Sequence, residues 1–232
     1  MLLRDNYLSE KALCTVCDSL THPIQYVTKR SKTTYHRCLS CGFTVKDPAD
    51  ILPVQDEFSL YQQHNNSISN QGYVRFLSDF IHQAVLPFAR GKSCLDYGSG
   101  PEPVLKQILE RDHGCAVAIY DKFYAPARIF EGKTYDLITC TEVLEHIRDP
   151  LEVFAVFRKA MHELSVLSLM TWFRPKSDSE FLRWSYIRDA THIAFYTMDA
   201  VQRIADQFDM RIIHSDCTRH ATLMRKGNGK SI

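Results

Sequence analysis

Between Ser93 and Met224 short apolar segments alternate with amphipathic ones, and this alternation constrains the fold more than any other feature. Ser93–Asp96, Cys115–Tyr120, Tyr135–Cys140, Val166–Met170, Met210–Ile213 and Ala221–Met224 have the length and composition of buried strands. Pro103–Glu110, a stretch from about Asp149 to His162, and Met198–Phe208 repeat apolar residues at helical spacing. Pro103 sits where a helix tolerates proline, in or near its first turn. Strands separated by helices predict an α/β chain with a doubly wound, mostly parallel sheet, and ligands bind such sheets at the carboxyl ends of the strands.

A different pattern precedes it. Cys14-Thr-Val-Cys17 and Cys38-Leu-Ser-Cys41 form two Cys-x-x-Cys pairs with twenty residues between them. A two-residue spacer lets both thiolates of a pair reach one ion, and two pairs complete a closed tetrahedral shell. Ile24–Val27 and Thr33–Tyr35 have β-type composition around the polar Lys29–Lys32 turn. The segment resembles a zinc ribbon over residues 1–50, with Cys14, Cys17, Cys38 and Cys41 as ligands of a structural Zn²⁺. A segment this short buries little core, so metal would supply much of its folding energy. Residues 51–90 read as a linker and a helix packing on the core, since Val74, Leu77, Ile81 and Val85 recur at spacings of three and four. Residues 91–224 form the α/β domain, and residues 225–232 read as a flexible tail.

At 232 residues, 45% hydrophobic and 24% charged, the chain has the composition of one globular domain plus a small appendage. No apolar run approaches the ~20 residues that span a bilayer. Arg4 and Asp5 stand where a secretion signal needs apolar residues, so a reducing, cytoplasmic compartment is expected, and there paired cysteines read as metal ligands. A net charge of +1 leans against a large RNA partner, which usually demands a basic face.

The first α/β loop is Leu95-Asp96-Tyr97-Gly98-Ser99-Gly100-Pro101-Glu102-Pro103. A dinucleotide loop requires a third glycine, and position 103 is proline. Asp96 would repel a pyrophosphate and suits a cationic ammonium. With its acidic-x-Gly-x-Gly motif, the stretch from Ser93 to Met224 resembles the class I S-adenosylmethionine-dependent methyltransferases, and Thr141-Glu142-Val143-Leu144-Glu145-His146, followed by Asp149-Pro150, resembles a second signature of that family. The resemblance implies a seven-stranded type of sheet and a bound S-adenosylmethionine. It implies that Asp96, Tyr97, Gly98 and Gly100 hold the methionine end, that Asp121 takes the ribose hydroxyls, and that Thr141 and Glu142 border the methyl. Tyr61 is a candidate to close over the cofactor, and His64 to line the acceptor pocket.

Some relatives of this kind hold a divalent cation. If 141–146 is helical, Glu142, Glu145 and His146 share one face and would bind Mg²⁺; the alternative is that they only fix the turn. His146 and His192 are candidate bases or orienting groups, and a loop-anchoring histidine is the alternative for His192.

The sequence therefore predicts an enzyme that methylates an acceptor, a small molecule before RNA. The rival is a non-catalytic zinc-ribbon scaffold. Three departures from the family motivate it: Glu102 where glycine is common, only fourteen residues between Asp121 and Asp136 for the third family strand, and Met161–Ser165 in place of a glycine turn. Retention of Asp96 and Asp121 argues against it.

Overall fold

The computed structural model describes residues 13–29, 31–62 and 66–227; His64 and the end of the tail, 228–232, lie outside them. Two strands, β1 (Thr21–Val27) and β2 (Lys32–Cys38), form an antiparallel hairpin, and β3 (Thr44–Lys46) pairs with β2. Both cysteine pairs sit at one end of this small sheet.

Two helices follow, α1 (Val54–Tyr61) and α2 (Gln71–Phe80), with a π-helical turn over Ile81–Val85 extending the second. Asn70 caps α2 by accepting from the Gly72 and Tyr73 amides. The helix expected within 51–90 is thus divided between α1 and α2.

The large sheet holds β4 (Ser93–Tyr97), β5 (Ala116–Tyr120), β6 (Tyr135–Thr141) and β7 (Met161–Met170), with α3 (Val104–His113) and α4 (Pro150–Lys159) as crossovers. The short α5 (Asp178–Phe181), the two-residue β8 (Ala194–Phe195), α6 (Met198–Gln207), β9 (Met210–Ser215) and β10 (His220–Arg225) complete the chain. The strand order is β5-β4-β6-β7-β10-β9. The first three pairings are parallel, and β10 runs antiparallel to both neighbours. The sheet is therefore mixed and mostly parallel. It has six strands among the described residues: 121–134 runs from β5 to β6 through turns, because a further parallel strand needs a crossover of about a dozen residues.

Side-chain alternation places core on both faces of this sheet. Leu95, Ile138, Leu167 and Leu169 join Phe154, Phe157, Val201 and Ile204 on one side. Cys94, Leu137, Val166 and Met170 meet Leu77, Phe80 and Ile108 on the other. Cys14, Cys38, Cys41 and Phe43 belong to the first of these cores. Two local expectations change. Met161–Ser165 begins β7 rather than forming a turn before it, and α4 ends at Lys159. Residues 141–146 are not a helix: Glu142 has a left-handed backbone (φ 52°), and only Leu144–His146 makes a short 3₁₀ turn. Among the described residues, no helix is long and apolar enough to cross a membrane.

Candidate active site

The chain runs from β4 outward to β5 and then back to β6 on the other side of β4, so the strand order reverses at β4. A cavity of about 640 Å³ opens at the carboxyl ends of these strands, a volume in the range of small-molecule sites. Tyr61, Tyr97, Gly98, Gly100, Asp121, Thr141, Glu142, His146 and His192, all singled out in the sequence, line it.

On the glycine-loop side, the Gly98 and Ser99 amides donate to the Tyr120 carbonyl at 2.7 and 3.1 Å. Gly98 has φ 92°, and a Cβ there would meet Val143 at 2.1 Å, so no larger residue fits. Above Gly100 the space is open, and nothing lies within 4 Å of where its Cβ would stand. A ligand can therefore approach the loop backbone. Asp121 supports the loop: its carboxylate accepts from the Gly100 amide at 2.9 Å and from the Phe123 and Tyr124 amides at 2.9 and 3.0 Å. Tyr97 and Tyr120 face each other across β4 and β5 with ring centroids 4.8 Å apart, and Phe130 packs on both.

Asp96 does not line the cavity. It lies beneath the loop, 1% exposed, and accepts from the Thr139 hydroxyl at 2.9 Å. Burial pushes its carboxyl up to about 7. Glu102 is also outside the cavity; it accepts from the Ile68 amide at 2.9 Å and ties the segment before α2 to the glycine loop.

The histidine side is assembled from distant segments. His146 donates from Nδ1 to the Thr191 carbonyl at 3.0 Å, and His192 donates from Nδ1 to the Tyr186 carbonyl at 2.8 Å. A carbonyl only accepts, so each Nδ1 carries the hydrogen, and in the neutral ring Nε2 is the basic atom. The two imidazoles stack edge to face at 4.9 Å, and Tyr61 packs on His146 at 5.1 Å. Burial holds His146 down to about 3, so it is neutral. Glu145 is fully buried and accepts from the Tyr186 hydroxyl at 2.6 Å. Burial raises both the Glu145 and the Glu142 carboxyls, and Oε1 of Glu142 is buried without a hydrogen-bond partner.

Ligand atoms of Glu145, His146 and His192 lie within 4.8 Å of one another. Glu142 is not in this group, although its Oε2 reaches the Tyr186 hydroxyl at 3.5 Å, the same hydroxyl that bonds Glu145. The expected cation set of Glu142, Glu145 and His146 is corrected accordingly. The spacing argument missed His192 as a member, since 46 positions separate it from His146 in the sequence. It also missed Phe123, Tyr124 and Arg128, which line the cavity after β5. The aromatic pair Phe123-Tyr124, one residue beyond Asp121, was the available signal for the first two.

The four cysteine sulfurs lie within 4.8 Å of one another, with Cys14 and Cys41 at 3.7 Å and Cys17 and Cys38 at 3.4 Å. At a zinc–sulfur length of about 2.3 Å, sulfurs at the corners of a tetrahedron stand about 3.8 Å apart, so the cluster fits one ion. The Val16 amide donates to the Cys14 sulfur, and the Ser40 and Cys41 amides donate to that of Cys38. Contact with Cys41 draws the Cys14 thiol down to about 5, towards the thiolate that a metal requires, and pushes Cys41 up.

Solved structures support the fold at low identity. An O-methyltransferase family protein from Burkholderia thailandensis aligns with a TM-score of 0.53 at 14% identity, over 74% of this chain and 60% of that one. The mitomycin 7-O-methyltransferase MmcR aligns at 0.51 and 14%, over 73% and 60%. The pyocyanin biosynthetic protein PhzM aligns at 0.51 and 13%, over 72% and 61%. The chain thus spans about three fifths of the length of these structures. No curated protein sequence matches it significantly. The methyltransferase domain family, however, matches over residues 67–215, well over half of the chain. The glycine loop and the cavity lining from Tyr73 to His192 lie within that match: the chain belongs to the methyltransferase domain family.

Proposed function

We propose that the protein transfers the methyl group of S-adenosylmethionine to a small molecule, with a hydroxyl as the accepting group. The observation that carries this reading is one cavity with two unlike ends: an open glycine loop braced by a carboxylate, and a pair of imidazoles with basic Nε2 atoms. When bound, S-adenosylmethionine supplies an electrophilic methyl on a sulfonium.

Gly98 and Gly100 let the methionine portion approach the backbone, with Tyr97 beside it. Three amides occupy three of the roughly four lone-pair sites of Asp121, which leaves one on Oδ2 for a ribose hydroxyl. Asp96 acts from below, fixing the end of β4 through Thr139. Thr141 and Glu142 border the position of the methyl. With the donor bound, Nε2 of His192 would take the proton of the acceptor hydroxyl, while His146, held neutral by burial, would orient that hydroxyl. Holding the two reactants in line supplies most of the rate, because little covalent work falls to the protein. Tyr61 closes the cavity above His146.

A second reading is favoured by the convergence of Glu145, His146 and His192. A divalent cation held there, Mg²⁺ or another, would orient the acceptor hydroxyl. Removal with EDTA and restoration with Mg²⁺ or Mn²⁺ tests it, and indifference to both excludes it. The four cysteines hold a structural zinc, which closes the hairpin of a ribbon over residues 1–50. Eight unpaired cysteines support a reducing, cytoplasmic setting.

Glu102, one motive for a scaffold reading, points at Ile68 and leaves the cavity free. Calorimetric titration of the purified protein with S-adenosylmethionine tests the reading. Micromolar binding is expected; absence of binding by the folded protein overturns it.

A further inference from the structure

The cysteine module does more than fold itself. Its last strand, β3, pairs with β8, so that Thr44 stands opposite Phe195 and Val45 opposite Ala194. This pairing fastens the module to the strap 189–197, which carries His192. Three more contacts fix the strap from the module side. The Lys46 amide donates to the Ile193 carbonyl at 2.7 Å, and the Lys46 ammonium donates to the Ala190 carbonyl at 2.7 Å. The Thr197 hydroxyl donates to the carbonyl of Cys41 at 2.5 Å, one of the four sulfur residues. Lys46 is 4% exposed, an unusual position for a lysine, and the carboxylates of Asp50 and Asp189 favour its charge against burial.

From its other edge, the strap holds the chemistry. The Ile193 amide donates to the Glu145 carbonyl at 2.7 Å, the Thr191 carbonyl accepts from His146, and the Tyr196 hydroxyl donates to the Leu144 carbonyl at 3.0 Å. Phe43, two residues beyond Cys41, packs on Tyr196 at 5.1 Å. The glycine loop has none of these ties; its amides go to Tyr120 and Asp121.

We propose that the cysteine module is a positioning element for the histidine end of the cavity, with Lys46 and Thr197 as the positioning residues. Through β3 and the strap it sets where His146 and His192 present Nε2, and it leaves the glycine-loop end alone. The inference rests on the proposed methyl transfer only for its consequence, that acceptor and donor binding are supported separately. Loss of the metal, or oxidation of its thiolates, then disarms the acceptor end while the donor end still binds.

Lys46→Met removes the buried ammonium. Thr197→Asp keeps an acceptor to cap α6 and loses the donor to Cys41. Both are made in the full chain with isotope-labelled histidine, and imidazole nitrogen spectra are recorded beside titrations with S-adenosylmethionine. His146→Gln and His192→Gln assign the signals. The expected result is displaced or split His146 and His192 resonances in both variants, with S-adenosylmethionine affinity within about twofold of the parent, as for sites that share no partner. Imidazole signals superimposable on the parent's in folded variants overturn the proposal. So does a parallel collapse of S-adenosylmethionine affinity, which would make the module a support of the whole cavity. If Lys46→Met does not fold, Thr197→Asp decides alone. Failure of the parent itself to bind S-adenosylmethionine strikes the functional reading, while the imidazole spectra still decide positioning.

Discussion

The glycine-loop end and the histidine end of the cavity are built by different routes. The first is made by consecutive residues at the ends of two adjacent parallel strands, and the amides of Gly98, Ser99 and Gly100 bond to Tyr120 and Asp121 at the end of β5. The second draws Tyr61, His146, Tyr186 and His192 from four segments, and a strap pinned to the cysteine module holds them. Ends built locally move with the sheet. Ends built from distant segments depend on every contact along the path.

The largest break in this comparison comes from the metal. Cys38→Ser is expected to abolish zinc retention, removing a binding energy of order 10 kcal/mol in small zinc modules. Elemental analysis should show no zinc, and hydrogen exchange should rise in the module and in 189–197 while β4 and β5 stay protected. Retained zinc would refute the four-sulfur shell.

Acidity separates the two ends next, and in opposite senses. Asp96 titrates near 7 when folded and near 3.8 when unfolded, so the folded state binds more protons between these values. Its contribution to stability therefore falls as pH rises through this window, by about 4 kcal/mol in all. His146 titrates near 3 folded and 6.5 unfolded, so the unfolded state binds more protons there, and its contribution is lost as pH falls from 6.5 towards 3, by a similar amount. Urea unfolding across pH 4 to 8 should show Asp96→Asn losing less stability than the parent on the alkaline side and His146→Gln losing less on the acid side. Parallel curves for either variant would remove that group's part.

Asp121→Ala comes third. It takes the acceptor from three amides and from the proposed ribose contact, so S-adenosylmethionine affinity is expected to fall about 100-fold, the scale of a lost charged hydrogen bond or two. Circular dichroism should stay near that of the parent, and unchanged affinity would refute the ribose assignment. Smallest of all is Glu102→Gly. It releases Ile68 from the loop, and affinity is expected to change by about twofold or less, as for most surface changes. A large gain on this substitution would mean that the glutamate obstructs the loop.

Legibility followed the same division. The six strands of the large sheet and the residues of the glycine loop are written in contiguous stretches, where periodicity and turn chemistry act over a few residues. The Cys-x-x-Cys pairs are equally local, and their sulfurs do converge. The failures came where one residue's backbone or a distant partner decides. Glu142 adopts a left-handed φ because it must leave β6 at once while its amide still donates to Met170, and this destroys the helical face assumed for Glu142, Glu145 and His146. Asp96 is a different case: read in the sequence at the methionine end, it lies beneath the glycine loop with its carboxylate on the Thr139 hydroxyl, where the alternation of β4 turns it.

By itself, then, the sequence determined the α/β alternation, the open glycine loop and the cysteine cluster, because each follows from spacing along the chain and the local chemistry of strands, turns and thiolates. Only the tertiary structure decided that His192 joins Glu145 and His146, and that β3 of the cysteine module fastens the strap that brings it there. Residues that lie far apart in the chain meet through sheet pairing and buried hydrogen bonds, and no short-range pattern encodes which strand edge will accept which partner.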